Sequence, residues 1–287
     1  MASLPDRKTA PQFAAHKGKQ LLVVVTAYDA PQGRLADSAG VDSILVGDSV
    51  GMTTHGYDST LPVTLDDMIL HTRAVARGQN ARVLAAKPGP EELARGARHA
   101  LLIADLPFGS YGASVEDGVR AGMRLVAEGG AQAVKIEGAS PLIRETIRRL
   151  IDVGIPVMGH LGLTPQSVHR FGGLRIQART DAAADTLLSD AVGLCDDGVF
   201  GIVLEVIPEA VAARVTEAVP APTIGIGAGR FCDGQVQVLH DLIGLGDGPV
   251  FRHARRYVDV GTPISGAIAE YAADVRERRF PTADNSF

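Results

Sequence analysis

Short apolar runs rich in β-branched residues recur along the chain, and each is followed by turn residues and then by a segment with helical spacing of apolar positions. The interiors of these runs are apolar on both faces, which is typical of parallel strands covered by helices. A weaker eighth run is predicted near residues 236–245. The clearest runs lie at residues 21–29, 42–49, 99–107, 132–138, 155–162, 200–206 and 221–229.

The segments between the runs, such as residues 114–130 and 140–154, have helix-compatible apolar spacing and end at glycine. Eight strand–helix units in 287 residues predict an α/β fold, a closed (β/α)8 barrel, as a single domain over residues 1–287. An open doubly wound sheet is the structural alternative. It is disfavoured because no strand leads into a GxGxxG turn followed by an acidic residue at the expected distance.

One irregular segment, residues 79–96, interrupts this alternation between a helix predicted to end near Gly78 and the next strand. The letters of residues 74–86 loosely echo those of residues 92–104, as if a piece had been duplicated. In a barrel this connection lies on the face away from the usual active site. We interpret it as a surface insertion, and contact with a neighbouring subunit is the alternative.

Composition and charge narrow the range of partners. An apolar fraction of 46% is ample for a sizeable core, and a net charge of -5 without a basic block argues against a nucleic-acid or anionic-membrane partner. Two cysteines, Cys195 and Cys232, lack metal-site spacing and indicate a reducing compartment. With no secretory h-region at the start and no apolar run of roughly 18 residues, we expect a soluble, cytoplasmic protein.

Polar side chains stand at the ends of five predicted strands, directly after the apolar runs. Because the carboxyl ends of all barrel strands meet at one mouth, we expect these side chains to converge there. Four carboxylates at one mouth need compensating positive charge. The residues are Asp48, Asp105, Glu137, His160 and Glu205.

A hard cation could supply that charge. Asp48, Asp105 and Glu137 offer the oxygen ligands that Mg2+ prefers. Zinc is less favoured, because His160 is the only strand-end histidine and no cysteine joins it. The alternative is that the carboxylates cap helices or pair with Lys135 and arginines.

Lys135 and Glu137 are two residues apart on one strand, so both side chains lie on the same face. Lys135 could hold a substrate carboxylate or act as a structural counter-ion. A Schiff-base role is disfavoured, because neighbouring carboxylates keep a lysine protonated. Glu205 follows an apolar stretch that suits a carboxylate to proton abstraction, and pairing with Arg175 or Arg179 is the alternative.

Two features of the sequence are each compatible with two interpretations. His160 is as compatible with a buried structural histidine as with a catalytic one. The glycine-rich segment 224–234 could cradle a phosphate, or its glycines could allow close backbone packing at the barrel rim.

Longer strings of the sequence resemble the ketopantoate (3-methyl-2-oxobutanoate) hydroxymethyltransferase family. They keep the order of the family and span roughly residues 20–280. The matching strings are TAYDA (26–30), VGDSVGMTTHGYDSTLPVT (46–64), ADLPFGSY (104–111), VKIEG (134–138), GHLGLTPQSV (159–168), FGG (171–173) and IGIGAG with DGQ (224–235).

The resemblance implies a barrel of the phosphoenolpyruvate-mutase type that assembles into a large homo-oligomer, such as a decamer. It places Mg2+ on Asp48, Asp105 and Glu137, and Glu205 at the position of the proton acceptor. The positions that contact or adjoin the keto acid are Asp48, Ser49, Asp105, Lys135 and His160.

The implied reaction belongs to pantothenate and coenzyme A biosynthesis. In the mechanism that the resemblance implies, Glu205 would remove the C3 proton of 3-methyl-2-oxobutanoate, and Mg2+ held by the carboxylates would supply Lewis-acid stabilisation of the enolate. The enolate then takes the one-carbon unit of 5,10-methylenetetrahydrofolate, which gives 2-dehydropantoate and tetrahydrofolate. The departures from the family pattern are the 79–96 segment, Ala178 in place of a usual glycine, His169 in place of a common asparagine, and the tail 283–287.

Two other functions remain alternatives. A magnesium-dependent carbon–carbon lyase of the isocitrate-lyase type would share the fold, but the sequence lacks the reactive-cysteine loop resembling KKCGH that marks such enzymes. The other alternative is a non-catalytic barrel that serves as a scaffold. It is retained because the 79–96 segment departs from the family pattern.

Overall fold

The computed structural model describes residues 7–80, 100–246 and 251–287, and the chain divides into two compact units, Met1–Gln237 and Val238–Phe287. The first unit is a closed barrel in which each parallel strand pairs with the next and the last pairs with the first. This confirms the predicted barrel. Its strands are β1 (Leu22–Thr26), β2 (Ser43–Val46), β3 (Leu101–Asp105), β4 (Ala133–Glu137), β5 (Val157–Gly162), β6 (Gly201–Glu205), β7 (Thr223–Ile226) and β8 (Gly234–Gln237).

Helices alternate with the strands along the chain, and the last two described helices belong to the second unit. A π-helical turn, Leu125–Gly129, extends the fifth helix, and 3-10 turns occupy Pro165–Ser167 and Ala283–Asn285. The described helices are α1 (Ala10–Ala14), α2 (Ala30–Ser38), α3 (Val50–Thr53), α4 (Leu65–Asn80), α5 (Val115–Arg124), α6 (Pro141–Asp152), α7 (Val168–Phe171), α8 (Asp181–Asp196), α9 (Glu209–Ala218), α10 (Leu239–Ile243) and α11 (Gly261–Arg276).

Local sequence signals account for the two helices predicted most clearly. The Ser114 hydroxyl accepts the Asp117 N–H before α5, and the Ser140 hydroxyl accepts the Ile143 N–H before α6. Gly130 and Gly154 follow these segments with φ of 81° and 88°, a conformation that glycine adopts without strain. The predicted helices over 114–130 and 140–154 are therefore confirmed.

The short first helix closes the amino-terminal end of the barrel. Phe13 of α1 is fully buried, packs edge-to-face on Phe200 with ring centroids 5.8 Å apart, and belongs to the core formed by the strands. Apolar side chains from all eight strands complete this core: Leu22, Val24, Leu45, Leu101, Ile103, Ala133, Met158, Val203, Ile224 and Val236. The polar strand ends lie at the opposite mouth.

The eighth strand was predicted too far along the chain. Strand β8 is Gly234–Gln237, and α10 covers much of the predicted run 236–245, whose apolar residues also fit helical spacing. A Cβ on Gly234 would lie 2.4 Å from the carbonyl oxygen of Leu22, so glycine is required where β8 meets β1.

Helix α4 extends through Gly78 to Asn80, two residues from the end predicted near Gly78. A Cβ at Gly78 would lie 2.1 Å from the carbonyl oxygen of Ala30, so this glycine permits close packing against α2 instead of ending the helix. The segment 79–96 lies outside the described residues, apart from Gln79 and Asn80.

In the second unit, α10 and the chain before α11 are joined by two backbone hydrogen bonds, from Tyr257 to Leu242 at 2.8 Å and from Val260 to Ile243 at 3.0 Å. The assignment of residues 1–287 to a single domain stays a prediction. Within residues 7–80, 100–246 and 251–287, no helix has the length and apolar character needed to span a membrane.

Candidate active site

The structure brings the predicted strand-end residues together at the carboxyl mouth of the barrel. Asp48 follows β2, Asp105 ends β3, and both are buried. The backbone N–H of Asp48 donates to Oδ2 of Asp105 at 3.1 Å, and Nζ of Lys135 lies 3.0 Å from Oδ1 of Asp105. The neighbouring strands thus bring the Asp105 carboxylate into contact with the backbone N–H of Asp48 and with the ammonium group of Lys135.

His160 of β5 lies between two glutamates. Its Nδ1 is 3.2 Å from Oε1 of Glu137, and its Nε2 is 3.2 Å from Oε2 of Glu205. Nζ of Lys135 also approaches Nδ1 of His160 at 3.2 Å. In the part of the chain that the structure describes, the ion-pair partner of Glu205 is His160 and not an arginine.

Ser49 lies at the edge of this cluster and is held by Tyr28, two residues after β1. Its Oγ is 2.8 Å from the hydroxyl oxygen of Tyr28, whose pKa burial raises to about 12, so the phenol is neutral. A Cβ on Gly47 would lie 2.9 Å from Oγ of Ser49 and 3.4 Å from Oδ2 of Asp105. Glycine at this position therefore allows the serine and the carboxylate to approach each other.

Gln166 is a site residue that the strand pattern did not single out. Its Nε2 donates to Oδ2 of Asp48 at 2.8 Å, its backbone N–H donates to Oε2 of Glu137 at 3.1 Å, and its Oε1 accepts the hydroxyl of Tyr111 at 2.5 Å. Gln166 lies in a 3-10 turn after β5, where strand periodicity carries no information. The only signal for it was its place in the string GHLGLTPQSV.

Burial and mutual repulsion dominate the electrostatics of the carboxylates. Burial, together with Asp105 and Glu137, raises the pKa of Asp48 well above its usual range. Burial also raises the pKa of Asp105, although Lys135 opposes this. For Glu137, burial is outweighed by the close contact with His160 and by Lys135, so its pKa is lowered.

The two bases are held in their charged forms. Burial and Lys135 disfavour the imidazolium of His160, but contacts with Glu137 and Glu205 outweigh them and raise its pKa to about 9. Burial similarly opposes the charge of Lys135, yet Asp105 and Glu137 raise its pKa overall. A protonated Lys135 is a poor nucleophile, which agrees with the prediction against a Schiff base.

The donor chemistry of the cluster fits a hard divalent cation. Four carboxylates face two cationic side chains, and Oδ1 of Asp105 and Oε1 of Glu137 are buried without a well-directed hydrogen bond. Among the described residues, however, no three acidic, histidine or cysteine side chains already surround one point as ligands. Asp48 and Asp105, held by Gln166 and Lys135, would turn to hold a metal together with Glu137.

The glycine-rich segment 224–234 is explained by packing. A Cβ on Gly229, where φ is 79°, would lie 2.3 Å from the side chain of Glu209. A Cβ on Gly225 would lie 3.0–3.1 Å from Gln235 and Cys232. These contacts support close packing as the reason for the glycines.

Two non-glycine residues near the mouth have left-handed backbones. Val206, directly after Glu205, has φ of 46°, and Ala178 has φ of 53°. The N–H of Gln177 donates to the carbonyl of Val206 at 3.0 Å, which ties the two strained segments together. Such strain is concentrated at functional sites in proteins.

Similarity to known proteins identifies the family of this chain. The sequence model of the ketopantoate hydroxymethyltransferase family matches residues 7–88 and 90–283. The chain belongs to this family. The resemblance and the prediction of a hydroxymethyltransferase enzyme are thereby confirmed.

Relatives from several bacteria support the assignment over almost the whole chain, and each is named 3-methyl-2-oxobutanoate hydroxymethyltransferase. The relative from Moorella thermoacetica is 47% identical over 283 residues, which cover 98% of each chain. The relative from Deinococcus radiodurans is 48% identical over 285 residues, 99% of this chain and 93% of that one. The relative from Gluconacetobacter diazotrophicus is 49% identical over 93% of this chain and 89% of its own.

Solved structures with the same barrel are more distant and bear on the fold alone. A phosphoenolpyruvate phosphomutase from Streptomyces platensis subsp. rosaceus aligns with a TM-score of 0.58 at 12% identity, over 94% of this chain and 88% of its own. A 2,3-dimethylmalate lyase of the PEP mutase/isocitrate lyase superfamily aligns with a TM-score of 0.55 at 15% identity, over 99% and 92%. The predicted phosphoenolpyruvate-mutase type of barrel is confirmed for this family member.

Proposed function

We propose that the protein transfers a hydroxymethyl unit from 5,10-methylenetetrahydrofolate to 3-methyl-2-oxobutanoate and forms 2-dehydropantoate, a step of pantothenate and coenzyme A synthesis. Family membership supports the reaction class. The observation that carries the mechanism is the chain of contacts from Glu205 through His160 to Glu137. This chain of contacts supports Glu205 as the base, because it links Glu205 through His160 to one of the carboxylates that would hold a metal.

Different residues of the cluster would bind the metal and the keto acid. Asp48, Asp105 and Glu137 would hold Mg2+, which supplies Lewis-acid polarisation of the keto oxygen when it is bound. The ammonium group of Lys135, charged and buried, can pair with the carboxylate of the keto acid. The hydroxyl of Ser49 is available at the edge of the same cluster.

Glu205 is the residue that we assign to proton removal at C3. Its Oε2 lies 3.2 Å from Nε2 of His160, which orients the carboxylate, and its side chain is 17% exposed at the mouth, where a substrate can approach it. The electron pair of the C3–H bond becomes that of the enolate, whose C3 then forms a bond to the methylene carbon of the folate. Both bonds from the methylene carbon to N5 and N10 must break, and one water supplies the oxygen of the new hydroxyl. The C3 proton and the two protons of the water then balance the hydroxyl and the two N–H groups of the released tetrahydrofolate.

Loss of the C3 proton signal of 3-methyl-2-oxobutanoate in D2O, followed by NMR, tests the first half of this reaction. We expect exchange that depends on Mg2+ and disappears in Asp105→Ala. If the wild-type protein shows no exchange with Mg2+, either alone or with a bound folate analogue, the proposal is wrong and the scaffold alternative gains support.

The remaining assignments stay predictions. They are the homo-oligomeric, decamer-like assembly, the cytoplasmic location, and the absence of nucleic-acid and membrane partners. The lyase alternative rests on the shared barrel, and the relatives at 47–49% identity favour the transferase.

A further inference from the structure

A cavity of about 890 Å³ opens beside the carboxylate cluster, and its wall includes Glu137 and Gln166. It is bordered by residues 108–113 after β3, by the turn between β4 and α6, and by α8. Ligand pockets of roughly 300–1,000 Å³ suit molecules of drug size. A five-carbon keto acid would fill only a small part of this cavity, so the remaining space fits a second, larger molecule.

The wall of the cavity includes aromatic rings and the guanidinium of Arg170, with the carboxylates of Glu137 and Asp190 elsewhere in the lining. Phe108 is 53% exposed, and the guanidinium of Arg170 lies 5.0 Å from the ring centroid of Phe171. Ile143 and Leu187 add aliphatic surface. Aromatic rings stack on planar heterocycles, and a guanidinium pairs with carboxylates.

We infer that this cavity binds the reduced folate donor, with its rings against Phe108 and Phe171 and its glutamate carboxylates at Arg170. The inference rests on the proposed function and specifies where the second substrate binds. The methylene carbon must come within roughly 3–3.5 Å of the enolate carbon in a reactive complex. Because Glu137 and Gln166 belong to both the cavity and the cluster, a ligand in the cavity can reach a keto acid at the cluster.

Calorimetric titration with 5-formyltetrahydrofolate, at saturating keto acid and Mg2+, tests the aromatic wall. We expect Phe171→Ala to raise the Kd about tenfold. Phe231→Ala is the matched control, because Arg230 lies 5.6 Å from the ring centroid of Phe231 in a similar pair that does not line the cavity. A wild-type protein that does not bind the probe, or an equal loss in Phe231→Ala, would overturn the inference.

Arg170→Ala tests the glutamate end on an exposed side chain, where a folding defect is not expected. We expect weaker binding of 5-formyltetrahydrofolate and unchanged binding of 6-methyltetrahydropterin, which lacks the aminobenzoylglutamate. Equal effects on both probes, or none on either, would contradict the assignment. Deuterium exchange at C3 by the wild-type protein without folate tests the enolisation separately. If the protein catalyses this exchange but the cavity variants bind the folate probe like wild type, only the assignment of the cavity is refuted.

Discussion

The side-chain amide of Gln166 donates one hydrogen bond to Oδ2 of Asp48 at 2.8 Å and another to the carbonyl of Leu106 at 3.0 Å. Both N–H groups of the amide are therefore used, and its oxygen accepts the hydroxyl of Tyr111. The backbone N–H of the same residue holds Glu137. One glutamine thus orients two of the three predicted metal ligands, which come from different strands.

Gln166→Ala is expected to weaken metal binding about tenfold or more, because groups that orient metal ligands typically contribute 10–100-fold to affinity. Mn2+ affinity, measured by electron paramagnetic resonance, gives a readout independent of turnover. Gln235→Ala is a suitable control, since that amide donates to the carbonyl of Gly229 on the exposed side of β8. Equal affinities in wild type and Gln166→Ala would show that the glutamine does not orient the ligands.

Glu205→Gln is expected to slow C3 deuterium exchange at least about 100-fold, the lower range for a positioned general base. The amide keeps the size of the side chain but cannot take up the proton. Glu209→Gln, on a half-buried glutamate four residues away that pairs with Arg230 outside the cluster, is expected to exchange at the wild-type rate. Exchange at the wild-type rate in Glu205→Gln would remove this residue from the mechanism.

Binding of Mg2+ is expected to release protons and to strengthen with rising pH. The pKa of Asp48 in the metal-free protein is raised by burial and by Asp105 and Glu137, so Asp48 retains a proton above the usual range. A metal ligand must be deprotonated, so affinity increases with pH, by about tenfold per unit for one proton, until that pKa is passed.

Titration calorimetry in buffers of different ionisation enthalpy counts the released protons. Asp48→Asn is expected to lower both the affinity and the number of protons released. An affinity that is independent of pH between about pH 5 and 8 would contradict the coupling of metal and proton binding at this cluster.

Ala178→Gly is expected to leave stability unchanged or to raise it by up to about 1.5 kcal/mol. The left-handed backbone costs a non-glycine residue about 1–2 kcal/mol, and the greater freedom of an unfolded glycine offsets about 0.5–1 kcal/mol of the relief. Ala182→Gly, in α8, is expected to lower stability by about 1 kcal/mol. Urea unfolding measures the change in the free energy of unfolding in both variants. Decreases of similar size in the two would show that the backbone of Ala178 is not strained.

Asp197→Asn is expected to lower stability at neutral pH by about 1 kcal/mol, because Asp197 pairs with Arg144 at 2.5 Å and with Arg148 at 2.7 Å, and both arginines are partly exposed. Burial opposes the shift, but the hydrogen bonds from the arginines hold the pKa of Asp197 below its usual value. The unfolded chain therefore binds the proton first as pH falls, and the stabilisation is lost below about pH 4.

Urea unfolding between pH 3 and 7 should show the difference between wild type and Asp197→Asn shrinking toward low pH. Asp196→Asn, an exposed neighbour, serves as the control. A difference that stays constant down to pH 3 would mean that the ion pairs are not its source.

The alternation of apolar runs with helical segments determined the barrel, because a strand that is buried on both faces must be apolar throughout. It also determined that Asp48, Asp105, Glu137 and Glu205 meet, since parallel strands end at one mouth. The same pattern mispredicted the position of β8, a strand of four residues whose register depends on contact with β1.

Only the tertiary structure decided which atoms touch. Gln166 and Asp48 are 118 residues apart and meet through barrel closure and the turn after β5, so no local periodicity could predict their hydrogen bond. The position of His160 between Glu137 and Glu205 depends in the same way on the register of β4, β5 and β6. Sequence periodicity assigns a side chain to a face, whereas distances across that face, and the cavity beside it, arise only when separate segments pack together.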